Sequence, residues 1–159
     1  MSLRYLQLST LKMKTLVIDG NNLIHRTFHT AKQQSKRTQT HTPEQVSNFH
    51  ILFTLNAVNS YVKQFVPDKT ITVWDEKKEY KINERKKLFE AYKGNRSKDL
   101  SPHENNDVIK SILLSLGINS IFPSRLEADD IVAYICKEHE GKKVIVSVDR
   151  DFLQLISPE

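Results

Sequence analysis

Apolar and polar positions along this chain come in blocks. Residues 15–18 (TLVI) are a continuous apolar run ending at Asp19-Gly20. Such a run predicts a strand buried on both faces, followed by a turn. Asn21 and Asn22 suit that turn, because Asn tolerates backbone angles that other residues resist. Residues 35–42 are polar and predict a loop. Thr42-Pro43-Glu44-Gln45 then carries helix-start chemistry: Thr42 as N-cap, Pro43 at the first helical position, Gln45 completing a capping box. Val46, Phe49, Phe53, Ala57 and Tyr61 recur at helical spacing, and Pro67 closes the segment. Residues 70–74 (TITVW) predict a second buried strand, ending at Asp75.

Ser101-Pro102-His103-Glu104 repeats the helix-start pattern. Val108, Ile109, Ile112, Leu113 and Leu116 continue that helix, and Gly117 stands where a C-terminal cap belongs. Residues 118–122 predict a short strand. Residues 127–139 predict an amphipathic helix with Ala128, Ile131, Val132, Ile135 and Cys136 on one face. Residues 143–148 (KVIVSV) predict another buried strand, ending at Asp149. Strands alternating with helices define an α/β domain with a mostly parallel central sheet flanked by helices. Residues 1–14 read as an N-terminal extension, with Met13-Lys14 as an alternative start, and residues 15–159 as the domain.

The 159 residues fit one domain, and 38% hydrophobic with 27% charged residues is a globular balance. No apolar run approaches the roughly 20 residues of a membrane-spanning helix, so no membrane partner is expected. A single cysteine excludes a disulfide framework and a Cys-based zinc cage. Cys136 reads as a buried, inert thiol. The six His show no metal-ligand spacing with it, and no Ser-His-Asp pattern points to covalent hydrolysis.

Charge changes the picture once it is located. The net +5 lies wholly in residues 76–98, which hold seven Lys and two Arg against four Glu; the rest of the chain is neutral. Tyr80, Phe89 and Tyr92 are interleaved there. Cations with aromatics suit nucleic acid, since the cations pair with phosphates while rings stack on bases. A solvated, Lys-rich helix face has the same composition.

The acids are patterned too. Three predicted strands end in Asp19, Asp75 and Asp149, and in open α/β sheets the functional crevice lies at the carboxyl ends of the strands. Turn chemistry explains each Asp singly. The helix at 127–139 opens with Glu127-Ala128-Asp129-Asp130, placing Glu127 and Asp130 on one face; the helix dipole also draws acids to that position. Asp151 follows Asp149 by two, so extended backbone would point both the same way. Seven carboxylates meeting at one edge would repel one another unless cations bind. Hard oxygen ligands suit magnesium, manganese or calcium. Two such ions about 4 Å apart stabilise the attacking and leaving oxygens of a phosphodiester displacement. Acids to hold metal beside a basic, aromatic stretch make a nuclease the economical hypothesis.

These residues also resemble a known family. Leu16-Val17-Ile18-Asp19-Gly20-Asn21-Asn22-Leu23, with Arg26 and Phe28, resembles the opening motif of the 5′→3′ exonuclease/flap endonuclease family. Pro67-Asp68 and the strand into Asp75 resemble its second motif. Arg85 and Tyr92-Lys93-Gly94-Asn95-Arg96 resemble the arginine, Tyr-Lys and arginine of its helical arch. Glu127-Ala128-Asp129-Asp130-Ile131 is similar to its acidic helix. Ser147-Val148-Asp149-Arg150-Asp151-Phe152-Leu153-Gln154-Leu155 is similar to the final motif of its N-terminal domain. The match runs in order from about Leu16 to Ile156, and its spacing is most similar to the bacteriophage and bacterial polymerase-associated branch.

The resemblance implies a PIN-like nuclease domain with a basic helical arch or flexible loop at 76–98, working in the cytoplasm of a bacterial or phage-infected cell. It implies a first metal site from Asp19, Asp75, Glu127, Asp129 and Asp130, with Asp149 and Asp151 contributing to a second, for two Mg2+ or Mn2+. Asp19, Asp130 and Lys93 would carry the catalysis, with Lys93 on the scissile phosphate. Arg85, Tyr92, Lys93 and Arg96 would hold a single-stranded 5′ end or flap of DNA. Arg26 has two readings, a phosphate contact or a salt bridge to the acidic cluster. Family members continue into a helix-hairpin-helix domain that grips duplex DNA, whereas this sequence stops at Glu159. That leaves a second hypothesis, a nuclease half or DNA-binding module that needs a separate duplex-binding subunit. A PIN-like ribonuclease is a third.

Overall fold

The structure, a computed structural model, describes residues 13–39, 42–75, 101–124 and 126–157. The extension at 1–12 and the basic stretch at 76–98 lie outside the described residues. Four strands, β1 (Lys14–Asp19), β2 (Lys69–Val73), β3 (Asn119–Ile121) and β4 (Lys142–Val146), form one sheet. Their order is β3-β2-β1-β4, and every pairing is parallel. The expected α/β class with a parallel sheet is what the chain adopts. On β1, Leu16, Val17 and Ile18 have no exposed surface, as a continuous apolar run predicts for a strand covered on both faces.

Each face has its own core. Leu16 and Ile18 pack with Leu23 and Ile24 of α1 (Gly20–Arg37), Val58 of α2 (Pro43–Phe65), Ile109 and Leu113 of α3 (Asn106–Ser115), and Trp74. Val17, Ile71 and Val73 pack on the opposite face with Ala128, Val132 and Ile135 of α4 (Ala128–Glu138) and with Phe152. Phe152 lies in a closing 3-10 helix, Arg150–Leu155. Cys136 is partly buried against this second core, and burial pushes its thiol pKa up, as expected for an inert thiol.

Helix α1 corrects the sequence reading. Asp19-Gly20-Asn21-Asn22 is not a free turn: Asp19 is the N-cap, accepting the Asn22 N–H at 3.0 Å, and both Asn lie in the first helical turn. The residues that favour turns also favour helix starts. The helix runs on to Arg37, so residues 35–37 are not loop, and Ser35 is buried. Gly20 has a packing reason. A Cβ there would fall 2.6 Å from Cε2 and Cε3 of Trp74, so only glycine lets β1 turn into α1 against the indole.

Helix α2 starts as predicted, with Thr42 accepting the Gln45 N–H at 3.3 Å. Its deepest stripe, however, is His50, Thr54 and Val58, with the expected Val46, Phe49, Phe53, Ala57 and Tyr61 only half-buried beside it. The buried polar groups are satisfied, as they must be. His50 Nε2 donates to the Ile24 carbonyl at 3.1 Å, while Nδ1 accepts from the Asn105 amide at 3.2 Å. The Asn105 Oδ1 takes the Ser47 hydroxyl at 2.8 Å, and the Thr27 and Thr54 hydroxyls meet at 2.8 Å. Burial lowers the His50 pKa, and charges on His25 and His103 lower it further against the raising effect of the Ile24 bond.

Residues 101–103 form a 3-10 turn, and α3 begins at Asn106, later than the Ser101-Pro102 pattern suggests. Asn105 makes no capping bond because His50 and Ser47 already hold its side chain. At the other end Gly117 has φ +80°; its N–H reaches Leu114 O and that of Ile118 reaches Leu113 O, both at 2.9 Å. This is the expected glycine-dependent C-terminal cap.

Candidate active site at the carboxyl edge of the sheet

The chain leaves β1 on one side of the sheet and returns to its other side as β4. The carboxyl ends of β1 and β4 therefore flank the point where the winding reverses, the usual location of a ligand crevice. Asp19 is the last residue of β1. One of its oxygens accepts the Asn22 N–H, and the other accepts the Ser147 hydroxyl at 2.9 Å. Ser147 lies just past β4, and its oxygen accepts the Asp149 N–H at 3.1 Å. A hydrogen-bonded path thus links the ends of β1 and β4.

Asp75 follows β2 by two residues. Its Oδ1 accepts the Ala128 N–H at 2.9 Å, fixing the end of β2 to the start of α4. Glu127, the N-cap of α4, is almost fully buried. Its N–H donates to Asp130 at 3.1 Å, and the Asp130 N–H donates to Asp129 Oδ1 at 3.0 Å. Orphan N–H groups at a helix start take carboxylates readily, and here they aim three acids.

Burial drives the Asp19 pKa upward from the ordinary carboxylate value. The Asn22 and Ser147 hydrogen bonds oppose that shift, and the charges of Asp75 and Asp149 add to it. Asp19 therefore senses acids from both neighbouring strands. β1, β2 and β4 run parallel, so Asp19, Asp75 and Asp149 all stand at or just past the carboxyl ends of their strands. Among the described residues, however, no three His, Cys, Asp or Glu side chains are gathered into a set that could hold a metal ion as they stand.

Asp151 departs from expectation. Backbone beyond Asp149 does not stay extended: Asp149 caps the closing 3-10 helix and accepts the Asp151 N–H at 3.0 Å. A short acceptor at an N-cap competes well against extended structure. Asp149 and Asp151 are both exposed. Arg26 is exposed, and its guanidinium donates to the Tyr61 hydroxyl at 3.0 Å, a partner outside both sequence readings. Arg85, Tyr92, Lys93 and Arg96 lie outside the described residues. Trp74 is fully buried, with Nε1 donating to Thr72 Oγ1 at 2.9 Å, so it is core, as its strand position suggests. Ser147 was not among the candidates; its signal was its place in the final motif, two residues before Asp149.

The donor set fits a hard divalent cation in chemistry. It is all carboxylate oxygen, and a cation would relieve Asp19, whose ionised form is disfavoured by burial and by like charges.

A parallel sheet wound in this order, with acids at its carboxyl edge, makes an α/β domain of the PIN-like kind that the resemblance implies. The chain belongs to the 5′-3′ exonuclease family: residues 14–159 match the 5′-3′ exonuclease, N-terminal resolvase-like domain. It is 34% identical over 147 residues to a flap endonuclease Xni of Shewanella sediminis, covering 90% of this chain and 52% of the relative. It is 33% identical over 150 residues to a 5′-3′ exonuclease of Aquifex aeolicus, covering 91% and 49%. With DNA polymerase I of Mycobacterium leprae it shares 29% over 150 residues, covering 92% of this chain and 16% of that one. The chain spans about half the length of the flap endonuclease and exonuclease relatives. Its fold is similar to that of a T5 protein co-crystallised with metal ions, at TM-score 0.63 and 21% identity over 91% of this chain and 52% of that one. It is also similar to a bacteriophage T5 flap endonuclease in a pseudo-enzyme–product complex with DNA and metal ions, at TM-score 0.60 and 18% identity, with the same coverage.

Proposed function

We propose that this chain is a metal-dependent 5′ nuclease domain that hydrolyses DNA phosphodiesters at the carboxyl edge of its sheet, on 5′ ends or flaps. The observation that carries the reading is Asp19, tied through the Ser147 hydroxyl to the end of β4 at the winding reversal of a domain in this family. Asp19, Asp75, Glu127, Asp129 and Asp130 are assigned to a first cation, and Asp149 and Asp151 to a second. When bound, the two divalent ions, Mg2+ or Mn2+, stabilise the attacking and leaving oxygens. Ser147 and the Asn22 N–H fix both oxygens of Asp19. The Ala128 N–H fixes one oxygen of Asp75. Lys93 neutralises charge building on the scissile phosphate, while Arg85, Tyr92 and Arg96 steer the strand. Arg26 is assigned to the DNA backbone, exchanging Tyr61 for a phosphate.

Several relatives carry DNA-processing names from bacteria, which supports a cytoplasmic setting. No described helix is long and apolar enough to cross a membrane. The half-length match favours a second reading, in which duplex DNA is gripped by a separate helix-hairpin-helix polypeptide or a segment outside this sequence. Addition of such a protein in trans would then be needed for cleavage.

The test is cleavage of a 5′-flap DNA with Mg2+ or Mn2+ by the wild type and by Asp130→Asn. The variant is expected to be slower by on the order of 100-fold or more. Equal cleavage by both proteins would sink the role of this acid. Cleavage of the matching RNA at the same rate would favour a ribonuclease instead.

A further inference from the structure

Phe122 lies one residue beyond β3, at the same sheet edge as the acids. The Ile121 carbonyl accepts the Trp74 N–H at 3.0 Å, which sets Phe122 beside the segment leading into Asp75. It is an aromatic residue with 51% of its surface exposed. The Nζ of Lys110, on α3, lies 4.6 Å from its ring centroid and 4.7 Å from that of Trp74. A cleft of about 350 Å³ opens there, lined by Lys110, Ser111, Leu114, Ser120 and Phe122, with Asp107 at one wall. Among the described residues β3 is the outermost strand, and none of them adds a strand on this side.

An exposed ring with a cation on it matches the recognition chemistry of single-stranded nucleic acid, in which bases stack on aromatics and Lys meets phosphate. Asp107, three residues before Lys110 on the same helix, also lines the cleft, and its charge opposes a phosphate there. We infer that Phe122 and Lys110 form a single-strand subsite beside the acidic edge, one base stacking on Phe122 and an adjoining phosphate pairing with Lys110. The inference rests on the nuclease reading for its choice of a DNA strand over an apolar peptide.

The experiment measures binding apart from cleavage. Fluorescence anisotropy follows a labelled oligothymidylate of about 12 nucleotides in EDTA, with the wild-type chain, Phe122→Ala, Phe122→Trp and Lys110→Gln. Phe122→Ala is expected to weaken binding about tenfold or more, and Phe122→Trp to keep it. Lys110→Gln should reduce the salt dependence by roughly 0.7 in log–log slope, one phosphate contact on a single strand. Thermal melts accompany each variant, and the Trp variant keeps the test decisive should the Ala variant unfold. With Mg2+, Phe122→Ala should raise KM and leave kcat near wild type. Unchanged affinity in a folded Phe122→Ala, or no DNA binding by the wild type, overturns the subsite. A wild type that binds the strand but cleaves no DNA, alone or with a duplex-binding helix-hairpin-helix protein added in trans, sinks the nuclease reading and leaves the subsite standing.

Discussion

Gly20→Ala probes the join between fold and site. Gly20 follows Asp19, and the Trp74 it touches precedes Asp75, so one methyl group wedges apart the two strand ends that carry these carboxylates. The added carbon would lie 2.6 Å from two carbons of the indole, well inside the 3.5–4.0 Å of favourable carbon contact. Trp74 is fully buried and cannot swing out to solvent. Overpacking of this kind costs about 1–3 kcal/mol. Displacing the indole also weakens its bond to Thr72, worth about 0.5–1.5 kcal/mol. Better helix propensity returns about 0.5–1 kcal/mol. The net loss is roughly 1–3 kcal/mol, a fall in Tm of about 3–10 °C for a chain of this size. Trp74 is the only tryptophan, so its fluorescence reports the displacement directly. The assay is thermal unfolding by circular dichroism together with the Trp emission maximum, for Gly20→Ala, Trp74→Leu and the double variant. The double variant should lose less than the sum of the singles, because the clash has been removed. Wild-type Tm and emission in Gly20→Ala would refute the close approach, and with it the reason for glycine after Asp19.

Other outcomes follow from the same structure. Asp19→Asn should raise Tm in metal-free buffer at about pH 7.5. The folded pKa of Asp19 is raised, so its contribution to stability is whole below its unfolded value and lost as pH rises through the folded one; Asn keeps the N-cap without the charge. An unchanged or lower Tm would contradict this. His50 acts in the opposite sense: its folded pKa is lowered, so stability is whole above about pH 6.5 and falls as pH drops from there toward the lowered value. Urea midpoints should therefore fall with pH more steeply in the wild type than in His50→Gln, and parallel curves would count against the buried neutral imidazole. Gly117→Ala should cost about 1 kcal/mol from backbone strain alone, since φ is +80° and nothing lies within 4 Å. Gly141→Ala should cost more, because φ is +89° and the new carbon meets the Met13 carbonyl; equal unfolding midpoints for the two would show that this contact is relieved.

The sheet was legible because its central strands are buried, so Leu16-Val17-Ile18 announces itself without periodicity; the run before Asp149 is as apolar in sequence, although β4 is only half-buried. Helix α4 was legible because acids at its start and Ala128, Val132 and Ile135 on one face agree. Helix α1 was hidden, since Asp19-Gly20-Asn21-Asn22 serves turns and helix caps equally well. The face of α2 was displaced because its core stripe contains His50 and Thr54, whose burial depends on partners from α1 and the start of α3. The acidic edge followed from strand ends, but the 3-10 turn at Asp151 came from a local cap by Asp149 that an extended reading could not show. Ser147 escaped notice because its place in the final motif says nothing of its partner until Asp19 is placed across from it.

The central claim is that the carboxylates around Asp19 hold hard divalent cations. Isothermal titration of Mn2+ into the wild-type chain and into Asp19→Asn tests it most directly. Saturable binding by the wild type, weakened about tenfold or more in the variant, is the predicted result. No binding by the wild type, or identical isotherms for the two proteins, would contradict it.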